Sequence, residues 1–223
     1  MATYQLQPNR YALVTPAGAY MAATGMVATN ASDLLMRVLS HERTPLLSAE
    51  DFRYGFDLSD AQVLELLHRL QELALLAAVP APITAPQGAL EVVLPERLAR
   101  LSSRGRTLLA DAQGLSVLSS GFAHETAEEL AGMSATLLGL STRHESLLVK
   151  HMGLPAVHWA VVGADGGSRL GCWQLRIGAQ LFSLVIEGVP RLNQQAFLDV
   201  IWCLAKRYLA QELPDSVAAS GLR

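Results

Sequence analysis

Three histidine-glutamate pairs, His41-Glu42, His124-Glu125 and His144-Glu145, are the first places where this sequence could hold a metal. A zinc-protease helix needs a second histidine three residues after the glutamate, so that two imidazoles share one helical face. Pro45, Glu128 and Leu148 stand there instead, which excludes the motif. His144, His151 and His158 recur at intervals of seven, but Gly153 and Pro155 break the helix that would align them. No cysteine or carboxylate completes a metal shell around them. Neither Lys150 nor Lys206 follows a glycine, so a P-loop is excluded, and no nucleophile elbow occurs. Cys172 and Cys203 lie beside Trp173 and Trp202 in apolar patterns and read as buried, inert thiols. Glu125, Glu128 and Glu129 offer an acidic cluster to a basic partner, although acids in a helix's first turn also answer the helix dipole. No catalytic residue, metal or cofactor is expected, and binding is the class of function left.

The elements that would position a binding surface are legible in outline. A chain of 223 residues with 51% hydrophobic and 17% charged residues folds, and its length suits two small domains. The formal net charge of −3 gives no general attraction to polyanions. Two cysteines without CxxC spacing fit a reducing, cytoplasmic setting. The stretch from Tyr11 to Ala31 is interrupted by Pro16, Gly18, Gly25 and Asn30, so it is neither a signal-peptide core nor a membrane span. Charge use changes near Leu94: residues 1–93 carry five basic and nine acidic side chains, the remainder twelve and eleven. The expected division is therefore 10–93, 94–211 and a flexible tail at 212–223.

In the first part, Leu34, Leu35, Val38 and Leu39 predict a helix over about 31–41. Ser48, with Leu47 and Phe52 as a hydrophobic staple and Gly55 near its end, predicts a short second helix. Ser59 and Gln62 form a capping-box pair before the stripe Val63, Leu66, Leu67, Leu70, Leu73. Two apolar runs, Leu75 to Pro80 and Ala89 to Leu94, flank the proline-rich Val79 to Gly88 and predict a hairpin, with Tyr11 to Val14 as an extra strand. Three helices and a hairpin resemble a winged helix-turn-helix. Its third helix, however, carries only Asp60, Glu65, Arg69 and Glu72 as charged groups, poor equipment for phosphates and guanine edges. Nucleic acid is disfavoured as a partner on this count, and a protein-docking or spacer role is favoured; a DNA-reading regulator with a dimerising or ligand-sensing second domain is the alternative.

In the second part, a short helix over Pro95–Ser102 precedes strands at Arg106–Asp111 and Leu115–Ser119, joined by a turn around Ala112, Gln113 and Gly114. Thr126 and Glu129 predict a capping box opening a helix to about Lys150. Its small side chains, Ala127, Ala131, Ser134 and Ala135, with Leu138, suit either close packing on a sheet or a subunit contact. Strands follow at 156–162, 169–177 and 180–187, with alternating apolar residues that include Val157, Trp159 and Val161. A last helix opens at Asn193 and carries Phe197, Val200, Ile201, Leu204 and Tyr208 at helical spacing.

The order helix, two strands, long helix, three strands, helix resembles the Roadblock family of dynein light chains and GTPase regulators. So do the wording from Arg106 to Gly121, an apolar strand, a D-x-x-G turn and a second strand ending in small residues, and the alanine-rich run from Glu125 to Leu138. The resemblance covers residues 94–211. It implies an α+β fold in which a five-stranded antiparallel sheet is sandwiched by helices. It also implies a homodimer joined through the third strands and second helices, and a platform that docks small Ras-like GTPases or transport complexes. The corresponding interface positions are Ala127, Ala131, Ser134, Leu138, Val157, Trp159 and Val161.

Overall fold

The computed structural model describes residues 5–25, 28–53, 56–154 and 158–209. The expected tail at 212–223 lies outside them, as do Gly55 and Val157. The chain opens with strand β1 (Tyr11–Val14) and helix α1 (Pro16–Thr24). Thr15 caps α1 by accepting from the Gly18 amide, with Pro16 at the first helical position, where its missing N–H costs nothing. Helix α1 was not among the sequence expectations. Its residues Ala17, Gly18, Ala19, Ala22 and Ala23 form no contrast between apolar and polar faces, so helical periodicity has nothing to register.

The next three helices follow the sequence closely. Helix α2 spans Asn30–Ser40, capped reciprocally by Thr29 and Ser32. Helix α3 is short (Ala49–Arg53), and α4 spans Asp60–Glu72 behind the expected Ser59/Gln62 capping box. Strand β2 (Leu76–Val79) pairs antiparallel with β1, Tyr11 opposite Val79 and Val14 opposite Leu76. The expected hairpin does not form. Its second run is instead part of helix α5 (Leu90–Arg100), which also absorbs the helix expected from Pro95. Leu90, Leu94, Leu98 and Leu101 sit at helical spacing, with the last three fully buried, and this stripe outweighs the β-branched Val92-Val93 pair. The expected boundary between residues 93 and 94 therefore falls inside a helix.

Strands β3 (Thr107–Asp111) and β4 (Ser116–Ser120) are joined by a turn in which the Asp111 carboxylate accepts from the Gln113 and Leu115 amides. Gly114, at φ 85°, supplies the left-handed residue. Helix α6 runs from His124 to Arg143 and passes through His144 into a π-helical turn, Ser146–His151. It starts before Thr126, so the expected Thr126/Glu129 capping box is not made: both residues lie within the helix. Strands β5 (His158–Val162), β6 (Ser168–Ile177) and β7 (Gln180–Glu187) lead to α7 (Gln195–Leu209), which begins two residues after the expected Asn193.

The five strands form one antiparallel sheet in the order β4-β3-β7-β6-β5. One face carries Trp173, Leu175, Ile177, Phe182, Leu184 and Ile186 into a core shared with α5 and α7. The other face packs Leu108, Ala110, Cys172 and Val185 against Ala127 and Ala131 of α6. This is the sandwiched α+β sheet that the residue order implied. The larger cluster also takes in Ala12, Leu34, Leu39, Leu67 and Leu76, so the apolar interior is continuous between the two halves of the chain. A polar contact crosses it too: the Trp202 indole donates to the His41 carbonyl at 2.8 Å, while within the second half Arg97 pairs with Asp199 at 2.8 Å.

Candidate protein interface

An antiparallel sheet of five strands has two edges, and β5 is one of them, paired only with β6. An edge strand presents a row of backbone donors and acceptors to whatever lies beside it. Here Val161 and Val162 are about 60% exposed, which gives the edge apolar character.

Helix α6 packs across β3 and β7, and its C-terminal end reaches this edge through a hydrogen bond. The Trp159 indole N–H donates to Ser141 Oγ at 2.8 Å, and Ser141 in turn donates to the Leu137 carbonyl. Trp159 lies directly opposite Cys172 in the β5/β6 register, so its ring falls on the α6 side of the sheet. Alternation in the sequence puts Trp159 and Val161 on one face of β5 without saying which. Pairing puts them on the face opposite Trp173, because Trp173 is matched by His158 instead. His158 meets the N-terminal part of the chain: Tyr20 Oη lies 2.8 Å from its Nε2, with the two rings edge to face.

The four helix positions expected at an interface all turn inward. Ala127, Ala131, Ser134 and Leu138 are buried, with Ala127 and Ala131 against the sheet and the Ser134 hydroxyl donating to the Ala131 carbonyl. The outward face of the same helix consists of Glu128, Glu129, Gly132, Met133, Thr136 and Gly139. A Cβ built on Gly132 or Gly139 meets nothing within 4 Å. Helix α6 carries small residues on two faces at once, and only tertiary packing separates the inner stripe from the outer. Beyond α6, Leu147, Met152 and Leu154 expose further apolar surface.

The groups considered for chemistry are dispersed. Cys172 and Cys203 are buried in the clusters on opposite sides of the sheet, and burial pushes each thiol up to about 11, where thiolate is scarce at neutral pH. His151 ends the π-helical turn and His158 sits in β5 against Tyr20. Among the described residues, no three His, Cys, Asp or Glu side chains are placed to hold a metal, and no helix is long and apolar enough to cross a membrane. In the N-terminal part, Arg53 pairs with Asp60 at the start of α4, 3.1 Å apart, so one of its five arginines already has an acidic neighbour.

From α5 to α7 the chain has the element order of a Roadblock-like fold. No family model and no curated protein matches the sequence. Among solved structures, the chain is similar to the gliding protein MglB of Thermus thermophilus, at 20% identity over 58% of this chain and 96% of that one, with a TM-score of 0.36. It is similar to MglB of Myxococcus xanthus at 15% identity, over 55% of this chain and 90% of that one, TM-score 0.35. A Roadblock/LC7 domain from Streptomyces avermitilis is similar at 13% identity, over 48% and 82%, TM-score 0.30.

Proposed function

We propose that this protein is a non-enzymatic, homodimeric scaffold that docks a regulatory protein partner, a small Ras-like GTPase. The observation that carries the reading is the apolar outer edge of β5, where Val161 and Val162 stand exposed. Two such edges placed antiparallel extend the sheet across a two-fold axis, and each backbone group left over at the edge then gains a partner. Gly132, Thr136 and Gly139 let the two α6 helices approach closely, since little side chain stands between the backbones. The joined helices and sheet form a broad, rigid surface, and the acidic side chains Glu128 and Glu129 supply charge for orienting a partner on it.

Light scattering of the full chain measures the self-association. A dimer at micromolar concentration is expected, converted to monomer by Val161→Lys, which places a charge on the edge without touching the core. A strict monomer in the wild type overturns the reading. Capture of cognate small GTPases on the immobilised full chain, in the diphosphate and triphosphate states, tests the partner; retention of neither state removes the GTPase.

A further inference from the structure

The outward stripe of α6 is laid out symmetrically about one point. Glu128, Gly132, Thr136, Gly139 and Arg143 follow one another at i, i+4, i+8, i+11 and i+15, so they share a face, and all of them are exposed. Glu128 and Arg143 lie equally far from the midpoint between Ala135 and Thr136, and so do Gly132 and Gly139. At the rise of an α-helix the two charges stand about 22 Å apart along the axis, too far to meet within one chain. Among the described residues, neither takes part in an ion pair. The helix dipole gives Arg143 a reason to stand at the last position, but its effect fades within one turn, and Glu128 lies beyond the first.

A second copy supplies the missing partner. When α6 is laid end for end against its copy, about a two-fold axis through that midpoint, Gly132 of each faces Gly139 of the other and Glu128 faces Arg143. The glycines let the backbones approach, and opposite charges then meet at both ends of the contact. A parallel arrangement sets Glu128 on Glu128 and Arg143 on Arg143, and a slip by one turn moves every charge off its partner. The neighbouring charges keep the same sense: Glu125 adds to the acidic end, while Lys150 at the other end is offset by Glu145 and leaves the charge of Arg143 standing. We propose that Glu128 pairs with Arg143 of the partner subunit and that this pair fixes the antiparallel direction and the register of the two α6 helices, an inference that rests on the homodimer read above. Glu129, on the flank of the stripe, keeps its charge for a docked protein. An exposed ion pair adds little affinity by itself; its effect is on which arrangement is chosen.

Sedimentation equilibrium of the full chain, with Glu128→Arg and Arg143→Glu measured singly and as an equimolar mixture, tests this. Each variant alone places like charges at both ends of the contact, and its dimer dissociation constant is expected to rise about tenfold or more. The mixture restores an attractive pair at both ends and is expected to form a heterodimer within about threefold of the wild-type affinity. A chain carrying both substitutions is expected to do the same as a homodimer. Higher salt should narrow the gap between the single variants and the wild type. Single variants that dimerise as the wild type does, or a mixture no tighter than the variants alone, overturn the pair while the homodimer stands. A monomeric wild type overturns the homodimer and the pair with it. Both substitutions are at exposed positions, and recovery in the mixture shows that each variant chain is folded.

Discussion

Gly18 shows how one missing methyl group decides whether two parts of the chain can meet. A Cβ built there falls 2.0 Å from the Leu75 carbonyl oxygen, in backbone that also receives the Thr15 amide at 3.1 Å and lies beside the Ala74 carbonyl that accepts the Thr15 hydroxyl. Neither atom belongs to a flexible side chain, so α1 would have to shift bodily. Gly18→Ala, which improves helix propensity in isolation, is therefore expected to destabilise the protein by about 1–3 kcal/mol. A denaturant titration reads this as a fall in midpoint with unchanged slope. The sequence contained Gly18 in plain view but gave no reason to single it out, since its neighbour is the distant backbone of Leu75.

At the scale of elements, the bond between Trp159 and Ser141 joins the edge strand to the helix that flanks it. Trp159→Phe keeps most of the apolar contact and removes the donor, leaving the buried Ser141 hydroxyl still bonded to its own helix. The expected cost is about 0.5–1.5 kcal/mol, and faster amide exchange should be confined to β5 and the end of α6. Helices α2, α4 and α7 and strands β6 and β7 were readable because each contrasts a buried face with an exposed one. Helix α1 lacks that contrast, and the first half of α5 was read as a strand because Val92 and Val93 suggest one locally. Its leucines outvote them only when α7 is present to bury against, with Leu94 and Leu98 wholly enclosed.

At the scale of the whole molecule, the cluster that runs from Ala12 to Ala205 makes the two halves energetically dependent on each other. Calorimetry is expected to show a single unfolding transition. Leu34→Ala, which opens a cavity in α2 at a fully buried site, should lower that transition as a whole by about 2–5 kcal/mol rather than split it. The composition shift near Leu94 suggested a division, yet composition reports only what each segment exposes, and contacts such as Trp202 to the His41 carbonyl cross it. By itself the sequence determined helices α2 to α4, the order of strands and helices from β3 onward, the D-x-x-G turn and the inert character of the cysteines, because periodicity, caps and turn residues act over a few positions. Only the tertiary structure decided which stripe of α6 faces outward and on which side Trp159 points. Those are properties of pairing and register between distant segments, and a helix with small residues all round, or a strand read alone, carries no information about its neighbour.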